Sequence, residues 1–263
     1  LGDGLQVSEL GLGCMGFSHA YGAPTDRAEA IRVMEQAVEM GYTFFDTAES
    51  YTGENQDGSI SYNEELVGEA LRPHRNAVQI ATKFGVRREG NELVVDSRPE
   101  QIRNALENSL RRLKMDHVEL YYQHRVDPKT PVEEVAGTMA DLIREGKILH
   151  WGISEADESI IRKAHRVCPL ACIQNRYSCR NKGQPQNFAG LWKPAFIKHD
   201  SDSKQSADDL PANHNHVSDP IGIILIGKYG SVFRESKNKL MQIICQHKQC
   251  KDNRKYCCRN QPF

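Results

Sequence analysis

The chain of 263 residues lacks any long apolar run: no stretch approaches the roughly 18 consecutive apolar residues of a membrane span. It also lacks an N-terminal basic segment followed by an apolar one, which argues against export; because it begins with Leu1, an upstream start is expected to be missing. Net charge is nearly absent, with 34 Lys and Arg against 35 Asp and Glu, so nothing in the bulk composition calls for nucleic acid or another polyanionic partner. Paired cysteine spacing is missing from the first two thirds, where Cys14, Cys168, Cys172 and Cys179 are scattered. Such cysteines read as reduced thiols of a cytoplasmic protein. No GxGxxG follows a strand, which disfavours a doubly wound dinucleotide module.

What is present falls into two regions. Residues 1–179 hold 20 Lys and Arg against 28 Asp and Glu, and residues 180–263 hold 14 against 7, a switch from net −8 to net +7. From Glu9 to Cys179, short apolar runs alternate with helical patterns, the order of a parallel βα architecture. The runs are LGLGCM, YTFFDTA, VQIATKF, VELYYQH, ILHWGIS and ACIQNRYS, six expected strands of mostly continuous apolar character, as strands covered on both faces require. Between them, the helix of Ala30, Met34, Ala37 and Val38 should stop at Gly41 in a left-handed turn. Ser97 and Glu100 form a capping-box pattern ahead of the stripe Ile102, Leu106, Leu110 and Leu113. Thr130, Pro131 and Glu133 repeat the start signal, with proline at the first helical position, Val135, Met139 and Leu142 facing inward and Gly146 closing the helix. Shorter helices are expected from Asn63 to Leu71 and from Asp157 to His165. The fold class is therefore α/β, a (β/α)8 TIM-type barrel, incomplete after its sixth strand.

In such a barrel the working residues lie at the C-terminal ends of strands. Asp46 ends YTFFD, Lys83 ends VQIATK, His124 ends VELYYQH, and Tyr51 follows Asp46 in the next loop. A lone lysine after a strand is usually solvated and a lone histidine usually structural, but chance rarely puts four such residues at converging strand ends.

The stretches LGLGCMG, FDTAESY, NEELVGEAL, IATKFG, LYYQHR, EGKI followed by WGIS, and IQNRYS together resemble the aldo-keto reductase family, in family order, over about two thirds of the chain. The resemblance implies an NAD(P)H-dependent aldehyde or ketone reductase with Asp46, Tyr51, Lys83 and His124 as catalytic tetrad. Tyr51 would be the general acid, Lys83 would lower its pKa from about 10, Asp46 would orient the lysine, and His124 would bond the substrate carbonyl or share the proton. It further implies that Ser154 and Gln174 hold the nicotinamide amide, that Asp46 and the backbone around Gly13, Cys14 and Met15 contribute to cofactor binding, the latter at its inner end, and that NADPH is favoured over NADH. Glu155 stands where many relatives have Asn. For Gly13 and Gly16 a plain tight turn is an equal reading.

After Cys179 the pattern ends, and only IGIILIG, from Ile221 to Gly227, reads as a core strand that fills one of two missing barrel positions. The region 180–263 is expected to be divergent, from a shift of reading frame or a fusion near Cys179, or disordered; the other frames of the gene test the former. Without two strands, the first and sixth would expose unpaired edges, and cofactor binding and turnover should suffer. A non-catalytic cofactor-binding or regulatory protein, or an inactive truncated relative, is the alternative, although the intact tetrad argues against deliberate loss of catalysis. A zinc site of Cys245, Cys250, Cys257 and Cys258 near His214, His216 and His247 matches no ligand spacing, so no metal is expected. The basic stretch from Lys228 lacks interleaved aromatics and reads as a solvated end.

Overall fold

A computed structural model describes residues 1, 4–89 and 92–174 and the backbone of 222–225. The boundary near Cys179 and the tail cysteines, histidines and lysines lie outside the described residues. Six parallel strands follow one another both in sequence and in the sheet: β1 (Leu10–Gly13), β2 (Phe44–Asp46), β5 (Gln79–Phe84), β8 (Val118–Gln123), β9 (Ile148–Ser154) and β10 (Cys172–Gln174). One helix separates each pair: α1 (Arg27–Glu39), α2 (Asn63–Leu71), α3 (Pro99–Leu113), α4 (Val132–Arg144) and α5 (Glu158–Val167). Each helix packs on the next, which puts them in one layer on one face of the sheet. Two hairpins, β3 (Thr52–Glu54) with β4 (Ile60–Tyr62) and β6 (Val86–Glu89) with β7 (Glu92–Val95), rise after β2 and β5. Among the described residues no helix is long and apolar enough to cross a membrane.

The sheet curls as a barrel wall must. β10 and β2 are four positions apart in the sheet, about 19 Å if it were flat. Yet the Gln174 amide Nε2 donates to Asp46 Oδ2 at 3.0 Å. Inside the curl, Phe44, Ala81, Leu120 and Tyr122 form an apolar cluster with Leu5, against which Val7 and Cys172 pack. Outside it, Phe45, Ile80, Tyr121, Trp151 and Ile153, the alternate residues of the same strands, are buried. Gly152 has no substitute here, since a Cβ would sit 2.6 Å from the Tyr122 ring and 2.7 Å from the Cys172 carbonyl oxygen. Gly152→Ala should cost about 1–3 kcal/mol by overpacking, read as a lower urea midpoint at unchanged slope; an unchanged midpoint would refute this packing.

The helix stripes fall where expected: Ile102, Leu106, Leu110 and Leu113 are buried, as are Val135, Met139 and Leu142, and Gly41 and Gly146 take positive φ of 89° and 73°. Three local expectations fail. The Ser97 and Glu100 capping box does not form, because Ser97 Oγ accepts from Gln123 Nε2 at 3.0 Å and α3 starts at Pro99 with Arg98 as its uncapped N-cap residue. Pro131 is the N-cap residue of α4 rather than its first helical residue, and the Thr130 hydroxyl donates instead to Asp127 Oδ2 at 2.8 Å. Ile221–Gly227 contains β11 (Gly222–Leu225), but β11 pairs antiparallel with β1, covering that edge in the direction opposite to a barrel strand.

Candidate active site

Strand alternation aims one set of side chains into the curl: Asp46 above Phe44, Lys83 above Ala81, His124 above Tyr122, Ser154 beside Gly152, and Gln174 above Cys172. Asp46 lies level with Gly13 on β1, and Ser154 with Gln174 on β10. The Asp46 carbonyl accepts from Cys14 N at 2.8 Å, which ties the loop after β1 to the same end. Met15 opens a 3₁₀ turn, Met15–Phe17, and its carbonyl accepts from both Ser18 N and His19 N. Gly13, Cys14, Asp46, Lys83, His124, Ser154 and Gln174 therefore lie toward one mouth, formed by the C-terminal ends of the strands.

Lys83 is buried, and its three ammonium hydrogens have three acceptors: Asp46 Oδ1, the Thr47 carbonyl at 2.9 Å and the Tyr51 hydroxyl at 3.2 Å. Burial works to lower the Lys83 pKa, but the Asp46 carboxylate and Tyr51 oxygen prevail and hold it above its ordinary value. Lys83 acts on the Tyr51 pKa in the expected direction, downward, but it does not set the net shift. Burial dominates and raises the phenol above its ordinary value, while the ammonium pulls the other way without winning. The burial comes partly from two imidazoles: His19 stacks on the Tyr51 ring at 5.9 Å, and His124 meets it edge-on at 5.6 Å. Burial, with the charges of Lys83 and Arg125, pushes the His124 pKa down to about 3, so this ring is neutral at physiological pH.

Several residues that complete the site received no role from sequence reasoning. Asn63, buried at the start of α2, donates to the Cys14 carbonyl and Ser18 Oγ, each at 2.8 Å, and accepts from Thr47 Oγ1 at 2.7 Å. Its own N–H and the Ser18 hydroxyl both bond the Tyr51 carbonyl, so Asn63 knots the loop that carries Tyr51. Its signal was its place at the head of NEELVGEAL. Behind Lys83, Thr82 Oγ1 donates to buried Glu64 at 2.6 Å, and Glu64 pairs with Arg112 at 2.6 Å, fixing β5 from outside. Glu49 accepts from Gly85 N at 2.9 Å, and burial raises its pKa to about 7. Arg125 spans the Ser154 hydroxyl, at 3.4 Å, and the His124 carbonyl, at 2.9 Å.

Chemically, the mouth holds a neutral phenol touching a buried ammonium, with a neutral imidazole beside it. That set can give a proton to an oxygen and stabilise the phenolate left behind. Gln174 spends its amide N–H on Asp46, which leaves its carbonyl as an acceptor, and Ser154 offers a hydroxyl donor one strand away. A carboxamide such as that of nicotinamide needs this donor and acceptor pair. Glu155, next to Ser154, adopts φ of 55°, and its N–H bonds the Gln174 carbonyl at 3.1 Å. Asn, Asp and His are the non-glycine residues enriched in this left-handed conformation, which Glu155 adopts here.

The profile of the Aldo/keto reductase family matches residues 9–192. A probable aldo-keto reductase from Glycine max is 42% identical over 178 residues, which cover 67% of this chain and 49% of that protein. The holo form of an aldo-keto reductase from Bacillus halodurans superposes with a TM-score of 0.57 at 34% identity, over 66% of this chain and 55% of that one. A glycerol dehydrogenase from Gluconobacter oxydans gives a TM-score of 0.56 at 32% identity, over 66% and 53%. The chain thus spans about half the length of these relatives.

Proposed function

The chain belongs to the aldo/keto reductase family, and from that membership we propose that it reduces an aldehyde or ketone with a nicotinamide cofactor, NADPH in preference to NADH. The observation that carries this reading is the single contact system in which Lys83 Nζ bonds both the Asp46 carboxylate and the Tyr51 hydroxyl. The holo form of the Bacillus halodurans relative supports the cofactor class. When bound, reduced nicotinamide supplies the hydride; Ser154 and Gln174 would hold its amide, with backbone of Gly13, Cys14 and Met15 along its inner end.

Tyr51 donates its phenolic proton to the oxygen of the carbonyl as negative charge develops there. Lys83, already against the hydroxyl, stabilises the phenolate, and Asp46 keeps the ammonium in place and balances its charge. His124, neutral, contributes a hydrogen bond to the same oxygen and no charge. The partner is thus a small carbonyl compound, and the absence of a disulfide at Cys14, Cys168 and Cys172 among the described residues suits a cytoplasmic setting.

A second reading, low turnover, rests on β11. An antiparallel strand beside β1 has its C-terminal end away from the mouth, whereas a barrel strand in that place would deliver its following loop there, and we infer weaker positioning of the cofactor. Both readings are tested by mixing the purified chain with simple aromatic and aliphatic aldehydes and following NADPH or NADH oxidation. We expect slow, NADPH-preferring oxidation that requires the aldehyde. Oxidation that is absent with every aldehyde would refute carbonyl reduction, and turnover with micromolar NADPH affinity would refute the second reading.

A further inference from the structure

Arg125 is the one cation at the mouth without a carboxylate: among the described residues it enters no ion pair, whereas Lys83 is matched by Asp46. The guanidinium is half-buried beside His124, and its charge reaches both that ring and the Tyr51 hydroxyl. Its hydrogen bonds are one-sided. Nη1 serves the His124 carbonyl at 2.9 Å and the Ser154 hydroxyl at 3.4 Å, and these use both hydrogens of that nitrogen. Among the described residues nothing accepts from Nε or Nη2. These two N–H groups are parallel donors along one edge of the planar fork, the edge that takes a carboxylate with two bonds. Nη1 anchors the fork to β9 and to the end of β8, so its orientation is already set. The nearest carboxylate in sequence, Asp127, is committed to Ser97 N, Lys129 N and the Thr130 hydroxyl.

We propose that Arg125 is a specificity-determining residue that binds the carboxylate of a carbonyl substrate through its Nε and Nη2 edge, so that this site prefers oxo acids to neutral aldehydes. The inference rests on the carbonyl-reductase reading, whose Tyr51 and His124 fix where the carbonyl oxygen lies. A hydrogen bond to a charged group contributes about 1.5–3 kcal/mol, which corresponds to about tenfold to hundredfold in affinity.

The test uses the full chain and two matched probes, para-carboxybenzaldehyde and its methyl ester, with dissociation constants measured by calorimetry in the presence of the oxidised cofactor NADP⁺, where no reduction occurs, and NADPH oxidation followed in a separate assay. The wild type should bind the acid about tenfold or more tightly than the ester. In Arg125→Leu that ratio should fall to near one, and Arg125→Lys, which keeps the charge but not the fork, should retain part of it. Circular dichroism melts of both variants show that they fold. Equal affinities in the wild type, or a preference that survives in Arg125→Leu, would overturn the proposal. If the ester is reduced without a preference for the acid, only this inference fails; if neither probe binds or is reduced, the carbonyl-reductase reading fails with it.

Discussion

Lys83→Met should destabilise the protein by about 3–5 kcal/mol, because removing one partner of a buried ion pair strands the other charge. Lys83 and Asp46 are only 1% and 5% exposed at their side chains. Without the ammonium, Asp46 would keep the Gln174 amide as its side-chain donor, and the Thr47 carbonyl and Tyr51 hydroxyl would lose the donor they share. The double variant Asp46→Asn with Lys83→Met should recover much of the loss, since no uncompensated charge remains. Urea unfolding of the two single variants and the double variant checks this. A loss within about 1 kcal/mol for Lys83→Met, the range of an exposed pair, would show that the pair is solvated. The linkage to pH has a definite sign. The folded pKa of Lys83 is raised above 10.5, so its contribution is fully present below that pH and is lost as pH climbs through the higher folded value.

Tyr51→Phe should lower turnover by about 10²–10⁴-fold, the usual worth of a positioned general acid, while leaving the fold and cofactor affinity in place. The ring is what His19 and His124 pack against, and phenylalanine keeps it; only the hydroxyl that faces Lys83 is lost. Comparing the maximal rate of NADPH oxidation with the NADPH dissociation constant separates the two effects. A variant that loses affinity along with rate would show that Tyr51 supports the fold of the mouth rather than the proton transfer.

The six parallel strands were legible because each is a compact apolar run bounded by helix signals, and the polar residue closing each run marks the mouth. Asp46, Lys83 and His124 needed no more than that. The hairpin of Thr52–Glu54 with Ile60–Tyr62 was not legible: its strands are three residues each and only exposed or half-buried, with no apolar run for a pattern to reveal. The Ser97 cap failed for a tertiary reason, since Gln123, in the sheet, competes for the same hydroxyl. The sign of the Tyr51 shift was hidden likewise. Sequence places a lysine near the tyrosine and so suggests a lowered pKa, but the two imidazoles that help exclude water from the ring come from the loop after β1 and the end of β8. Asn63 was visible only as part of a motif, because its three side-chain bonds join segments distant in the chain.

The identity of the proton donor is tested most directly by the pH dependence of carbonyl reduction at saturating NADPH, from about pH 5 to about pH 11, a span that brackets the ordinary histidine and tyrosine ranges. His124, with its pKa pushed down to about 3, is neutral throughout, and Tyr51, held above 10.0, keeps its proton until the alkaline end. The rate should therefore stay level through neutrality and fall only in the alkaline limb, with that limb absent from the residual activity of Tyr51→Phe. A fall centred near pH 6 to 7 that persists in Glu49→Gln, which removes the carboxyl whose pKa burial raises to about 7, would contradict the assignment of Tyr51 as the donor.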